Sequence, residues 1–248
     1  MDFQGKTAFV TGARGGIGFA VTRELASRGI NVVAHARNRT EEFELKLKEL
    51  SDVYHVDMIP VYFDMTDSEQ MKKEIRNLIS NKISVDILVN NAGVNHAGLF
   101  QMTPISKIKA VFDNNLFGAM ELTQYILKMM NRKKKGSIVN LASSAGIHIR
   151  PGNSAYGVSK AAVIAWTKTL ALEVGGNGIR VNAVAPGFTN TKMAAEVLQA
   201  TAADKMEQNA MNRTAEPEEI AKVIAFLASD EASFVNGEVI SVDGAVLG

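Results

Sequence analysis

The stretch Thr7-Ala8-Phe9-Val10-Thr11-Gly12-Ala13-Arg14-Gly15-Gly16-Ile17-Gly18 sets four β-prone residues ahead of a glycine loop, and an amphipathic segment follows to Arg28. Strand, loop and helix in that order are what a phosphate site requires. Glycine lets backbone approach a pyrophosphate, and a helix N-terminus presents unpaired N–H groups and a partial positive charge. Gly12, Gly16 and Gly18, with Arg14 and Ile17 among them, follow a Gly-x3-Gly-x-Gly spacing. The loop is a candidate cradle for nucleotide phosphates; a glycine-rich turn without a ligand is the alternative.

Working outward, six more β-prone runs follow: Asn31 to Ala36, Ile59 to Phe63, Asp86 to Val89, Ser137 to Leu141, Ile179 to Val184 and Val239 to Val242. Helical patterns lie between them, including Glu41 to Leu50, Lys107 to Met130, the apolar run Ala155 to Val174, and a segment opened by Glu216-Pro217-Glu218-Glu219. This alternation predicts an α/β chain, residues 1–248 as a single domain, in a doubly wound Rossmann fold. A seven-stranded parallel sheet with helices on both faces is expected. Gly136, after the basic run Arg132-Lys133-Lys134-Lys135, is placed to end the Lys107–Met130 helix.

The 248 residues, 46% hydrophobic, suffice for a sizeable core, and 27 Lys and Arg against 26 Asp and Glu leave no field to recruit nucleic acid or an anionic membrane. The absence of cysteine excludes disulfides and thiolate chemistry, and the four histidines show no metal-ligand spacing. The first residues lack the apolar segment of a signal peptide or membrane span, so a cytoplasmic protein is expected.

The strand ends supply the next candidates. Asn31–Ala36 runs into Arg37 and Arg39 where a Rossmann fold often presents an acid to the adenosine ribose. Arg37, joined by Arg14, suits a 2′-phosphate, which points to NADP(H) rather than NAD. Asp64, with Met65 beside it, is placed to accept a bond from the adenine amino group, and Asp64, Thr66 or Asp67 to cap the following helix; both can hold. Asn90-Asn91-Ala92-Gly93 is a turn at a strand's carboxyl end, where Asn91 can tie strands together while Ala92 and Gly93 face the cofactor. Pro186 and Gly187, followed by Thr189 and Thr191, can face the nicotinamide amide and the phosphates. The stretch 188–212, read largely as helix from Lys192 to Met211, is a candidate lid over substrate.

Tyr156 and Lys160 are four residues apart, one helical turn, and a cation beside a phenol favours the phenolate. Ser143, thirteen residues before Tyr156 on the loop leaving a strand, can hold a carbonyl oxygen beside it. Asn115 is an amide on a helix with apolar neighbours, where it needs a hydrogen-bond partner. The apolar surface around Ala155–Val174 exceeds one sheet contact and implies a partner helix.

Thr11-Gly12-x3-Gly16-Ile17-Gly18, Asn90-Asn91-Ala92-Gly93, Asn115, Ser143, Tyr156-x3-Lys160 and Pro186-Gly187, in this order and spacing, resemble the short-chain dehydrogenase/reductase family over essentially the whole chain. The resemblance implies Tyr156 as proton donor or acceptor, Lys160 lowering its pKa and binding the nicotinamide ribose, Ser143 holding the carbonyl, Asn115 supporting a water relay, and a homotetramer. Within the family, Arg213–Ala221 and Phe226–Ala232 resemble 3-oxoacyl-[acyl-carrier-protein] reductases. A thioester substrate on acyl carrier protein is then implied. Against that pattern, His96-Ala97 replaces an Arg-Asp or Lys-Asp pair, Asn177 replaces one of two carrier-docking basic residues while Lys134 retains the other, and Asp243-Gly244-Ala245 replaces Asp-Gly-Gly. An alcohol or sugar dehydrogenase, a tailoring ketoreductase and a catalytically idle NADP sensor are the alternatives.

Overall fold

The computed structural model describes residues 5–195 and 209–246. Seven strands, β1 (Thr7–Val10), β2 (Asn31–Ala36), β3 (Met58–Tyr62), β4 (Ile87–Asn90), β5 (Gly136–Leu141), β6 (Ile179–Pro186) and β7 (Val239–Val242), form one sheet. Their order is β3-β2-β1-β4-β5-β6-β7, with every neighbouring pair parallel. The chain lays β1 to β3 in one direction and then returns beside β1 with β4. That reversal opens a crevice at the carboxyl ends of β1 and β4, where the glycine loop begins.

Successive strand residues face opposite ways, and here both faces are covered. Ala8, Val10, Val32 and Val89 face α1 (Gly16–Ser27), α2 (Glu41–Tyr54) and α7 (Pro217–Ala228). Phe9, Val33, Leu88 and Ile138 face α3 (Ser68–Ser80), α5 (Gly118–Lys133) and α6 (Tyr156–Val174). Hydrogen bonds start the helices where the sequence provides acceptors: Thr40 caps α2, Asp67 caps α3, and Glu216 and Glu219 form a reciprocal box on α7 behind Pro217. Pro60 lies within β3, at one margin of the sheet.

The expected helix from Lys107 to Met130 is instead three pieces. After Pro104 comes α4 (Ile105–Phe112), then a π-turn (Asp113–Phe117), then α5. The turn adds a residue to the helical circuit without interrupting it. Gly136 does not end α5 either. Lys134 takes the left-handed position at φ 50°, and Gly136 opens β5, where a Cβ would fall 2.5 Å from Met130 Sδ. Of the expected lid, residues 196–208 lie outside the described residues. Among the described residues no helix is long and apolar enough to cross a membrane.

Candidate active site

The glycine loop is built for close approach. Gly12 (φ 66°) and Gly16 (φ 53°) are left-handed, and a Cβ on Gly18 would fall 2.2 Å from Gly12 O and 2.5 Å from Asn91 Nδ2. Ile17 packs into the core behind it. Gly15 precedes α1 with no side-chain cap, the first turn carries no acid, and Arg14, Gly15 and Gly16 are exposed. The orphan N–H groups of that helix end are therefore suited to an anion.

Neighbouring strands hold the loop in shape. Asn91 Nδ2 donates to Thr11 O at 2.7 Å, while Thr11 Oγ1 accepts from Asn91 N and Ala92 N, both at 2.9 Å. Gly12 N donates to His35 Nδ1 at 3.2 Å and Ala13 N to His35 O at 2.8 Å. With Nδ1 accepting, His35 Nε2 is the protonated nitrogen and donates to Phe63 O at 2.9 Å. Burial pulls the His35 pKa down to about 4, so the ring stays neutral and keeps this tautomer. Pro186 ends β6, Gly187 N donates to Val242 O, and buried Thr189 donates to Gly187 O. Thr191 then reaches the glycine loop: a Cβ on Gly16 would sit 3.2 Å from its Cγ2. A glycine cradle, an uncapped helix end and a crossing strap together fit a dinucleotide.

Beside this cradle four side chains converge. Asn115, buried on the π-turn, accepts from Val94 N at 2.8 Å and donates to Val94 O and Ser159 Oγ, both at 3.0 Å. Ser159 Oγ in turn donates to Tyr156 O at 2.7 Å. Lys160, only 4% exposed, donates from Nζ to Leu141 O at 2.6 Å and lies 5.9 Å from the centre of the Tyr156 ring. Gly93 borders both: a Cβ there would be 3.1 Å from Asn115 Oδ1 and 3.6 Å from Lys160 Nζ. Ser143 accepts from Ala145 N, and its hydroxyl is bonded to the Tyr156 phenol. Ser144 instead offers its carbonyl to Ile147 N and His148 N.

The electrostatics differ from the expectation that Lys160 lowers the tyrosine. Tyr156 retains some accessible surface, but dense packing raises its pKa, with the Ser143 bond pulling the other way. Burial also brings the Lys160 ammonium down to about 8. Desolvation thus dominates both groups, and the phenol is held in its protonated form at neutral pH.

Beyond the carboxyl ends of β2 and β3, Arg37 Nε pairs with Asp64 Oδ2 at 3.2 Å. Asp64 also accepts from Thr66 N and Thr66 Oγ1. Partial burial opposes its ionisation, yet these bonds and Arg37 hold its pKa below the usual carboxylate value. Helix capping falls to Asp67, not Asp64. Met65 is buried, and Arg14 is exposed. Two further residues build the site: His35 braces the loop and Ser159 links Asn115 to Tyr156. Ser159 carried a faint signal, one turn from Tyr156 on the helix; the His35 contacts are long-range and carried none.

An alternating parallel sheet with a glycine loop at its crevice and a Ser-Tyr-Lys-Asn cluster beside it defines a Rossmann-type oxidoreductase. The family model described as enoyl-(acyl carrier protein) reductase matches residues 12–246, and the chain belongs to the short-chain dehydrogenase/reductase family. It is 38% identical to the 3-oxoacyl-[acyl-carrier-protein] reductase of Thermotoga maritima over 248 residues, 100% of both chains. It is 37% identical to a 3alpha-hydroxysteroid dehydrogenase of Mediterraneibacter gnavus, covering 99% of this chain and 98% of that one. Among solved structures, a putative gluconate dehydrogenase from Agrobacterium tumefaciens superposes with a TM-score of 0.92 at 29% identity, covering 98% of this chain and 96% of that one.

Proposed function

We propose that the protein reduces a ketone to a secondary alcohol with NADPH, and that the ketone is a 3-oxoacyl thioester. The observation that carries the reading is the meeting of Ser143, Tyr156, Lys160 and Asn115 beside the glycine cradle. A bound nicotinamide supplies the hydride. Ser143 orients the carbonyl oxygen and the Tyr156 phenol gives it a proton, as general acids positioned within hydrogen-bond reach do. Lys160 holds a positive charge near that phenol and binds the nicotinamide ribose. Asn115, fixed by Val94 and Ser159, braces the path by which the phenol regains its proton.

Gly12, Gly16, Ile17 and Gly18 carry the pyrophosphate, Arg37 and Arg14 the 2′-phosphate, and Asp64 and Met65 border the adenine. Asn91, Ala92, Gly93, Pro186, Gly187, Thr189 and Thr191 line the nicotinamide half, under a lid spanning 188–212. The thioester reading draws on the reductases at 34–38% identity, and the hydroxysteroid dehydrogenase at 37% supports a cyclic ketone as the second candidate.

Following NADPH and NADH oxidation with a panel of 3-oxoacyl thioesters, steroid ketones and sugars tests both halves. A higher kcat/KM with NADPH and thioesters is expected. A preference for NADH would overturn the Arg37 argument, and tight NADPH binding without any turnover would make the chain an idle sensor.

Assembly belongs to the same proposal. On α6, Val158, Ala165 and Leu172 are exposed at seven-residue intervals, with Leu172 at 87%. Phe117 on the π-turn and Ile105 on α4 are exposed as well. These faces suit helix pairing in a homotetramer. Sedimentation at micromolar concentration should give four subunits, and Leu172→Glu should lower that number; a wild-type monomer would refute the assembly.

A further inference from the structure

The expected reader of the 2′-phosphate does not stand alone. Arg37 Nη2 donates to Asn114 Oδ1 at 3.3 Å while its Nε pairs with Asp64. Asn114 is itself oriented, because its Nδ2 donates to Ala110 O at 2.9 Å in the preceding turn. With the amide nitrogen committed to the helix, the oxygen is what faces the guanidinium. Asp64 is likewise pinned, by both donors of Thr66.

The π-turn carries both amides. Gly118, just after the turn, packs on the loop that follows β3 so closely that a Cβ would fall 2.4 Å from Met65 O. Successive helical residues project about 100° apart, so the two adjacent amides reach different places: Asn115 to Val94 and Ser159, and Asn114 to Arg37.

We infer that Asn114 is a positioning residue for cofactor selection, holding Arg37 in place for the 2′-phosphate. The inference rests on the NADP reading above. A free arginine side chain loses rotamer freedom when it clamps an anion, and a side chain ordered in advance loses less. The ion pair at Nε and the hydrogen bond from Nη2 orient the guanidinium, and its other donors remain for an anion. A cofactor lacking the 2′-phosphate gains nothing from this arrangement.

Calorimetry on the full chain with adenosine 2′,5′-bisphosphate and with AMP tests it without turnover. For Asn114→Ala, the bisphosphate should bind about 3- to 10-fold more weakly and AMP equally well. Asn114→Asp should lose on the order of tenfold or more for the bisphosphate alone, since the new carboxylate neutralises Arg37 and repels the phosphate. In steady state the same factors should appear in KM for NADPH and not in KM for NADH. Equal losses for both ligands, or no loss for either, would overturn the inference by making Asn114 structural or irrelevant. Wild-type protein without preference for the bisphosphate would sink the NADP reading and this inference with it. A wild-type preference abolished by Arg37→Ala but untouched in both Asn114 variants would sink this inference alone.

Discussion

Tyr156→Phe is expected to lower kcat by on the order of 10³-fold while NADPH binds nearly as tightly as to the parent chain. The substitution removes one oxygen and keeps the ring that lies 5.9 Å from Lys160 Nζ. Its bond to Ser143 is lost, but Ser143 keeps its bond from Ala145 N. The loop, strap and Arg37 contacts lie elsewhere, so cofactor affinity should be spared. The raised phenol pKa keeps Tyr156 protonated for the direction of reduction, and the hydroxyls around it have other tasks: Ser143 orients the carbonyl oxygen and Ser159 is committed to Tyr156 O. Single-turnover kinetics alongside fluorescence titration with NADPH separates the two effects. Retention of a tenth of parental turnover would exclude Tyr156 as the acid.

Lys160→Met should cost activity and raise stability together. The drop of the ammonium from 10.5 to about 8 corresponds to about 3 kcal/mol of disfavoured charge at neutral pH. The sign follows from proton counting. Between pH 8 and 10.5 the unfolded chain holds a proton that the folded chain has released, so this group adds stability as pH rises through that window and its full cost is felt below pH 8. Methionine removes the charge and fills similar space, at the loss of the charge-assisted bond to Leu141 O, worth about 2 kcal/mol. The remainder, about 1 kcal/mol, should raise the melting temperature by roughly 3 °C. Turnover should fall by about 10²-fold or more, because the charge beside the phenol is gone. In the parent enzyme, loss of that charge should make kcat decline above pH 8, and this decline should vanish in the variant. Calorimetry and a pH–rate profile read both effects, and a lower melting temperature would show that the Leu141 bond outweighs burial.

The strands were legible within about two residues, because a parallel sheet buried on both faces demands mostly apolar runs such as Thr7–Val10 and Ile87–Asn90. The glycine loop and the Tyr156–Lys160 pair were legible because each is a local pattern with fixed spacing. What escaped the sequence depends on contacts between distant segments. The π-turn at Asp113–Phe117 leaves no period to detect, yet it places both Asn114 and Asn115. Arg37 and Asp64 were read as separate contacts to one cofactor, whereas the parallel register of β2 and β3 brings their strand ends together into a pair. Lys160 next to Tyr156 suggested a depressed phenol; burial, which neighbouring residues in sequence do not reveal, reverses that direction.

Pro60 in β3 bears on how the molecule avoids unwanted company. Asp57 O and Phe63 N both bond toward β2, so odd-numbered residues of this strand turn their backbone polar groups inward and even-numbered ones turn outward. Proline's missing N–H therefore falls on the open side, where a foreign strand would need a donor, and the ladder to β2 is not weakened. That margin is a poor template for sheet extension between molecules. Self-association is thereby steered away from strand-to-strand stacking, which protects the chain at the high local concentrations of synthesis and refolding.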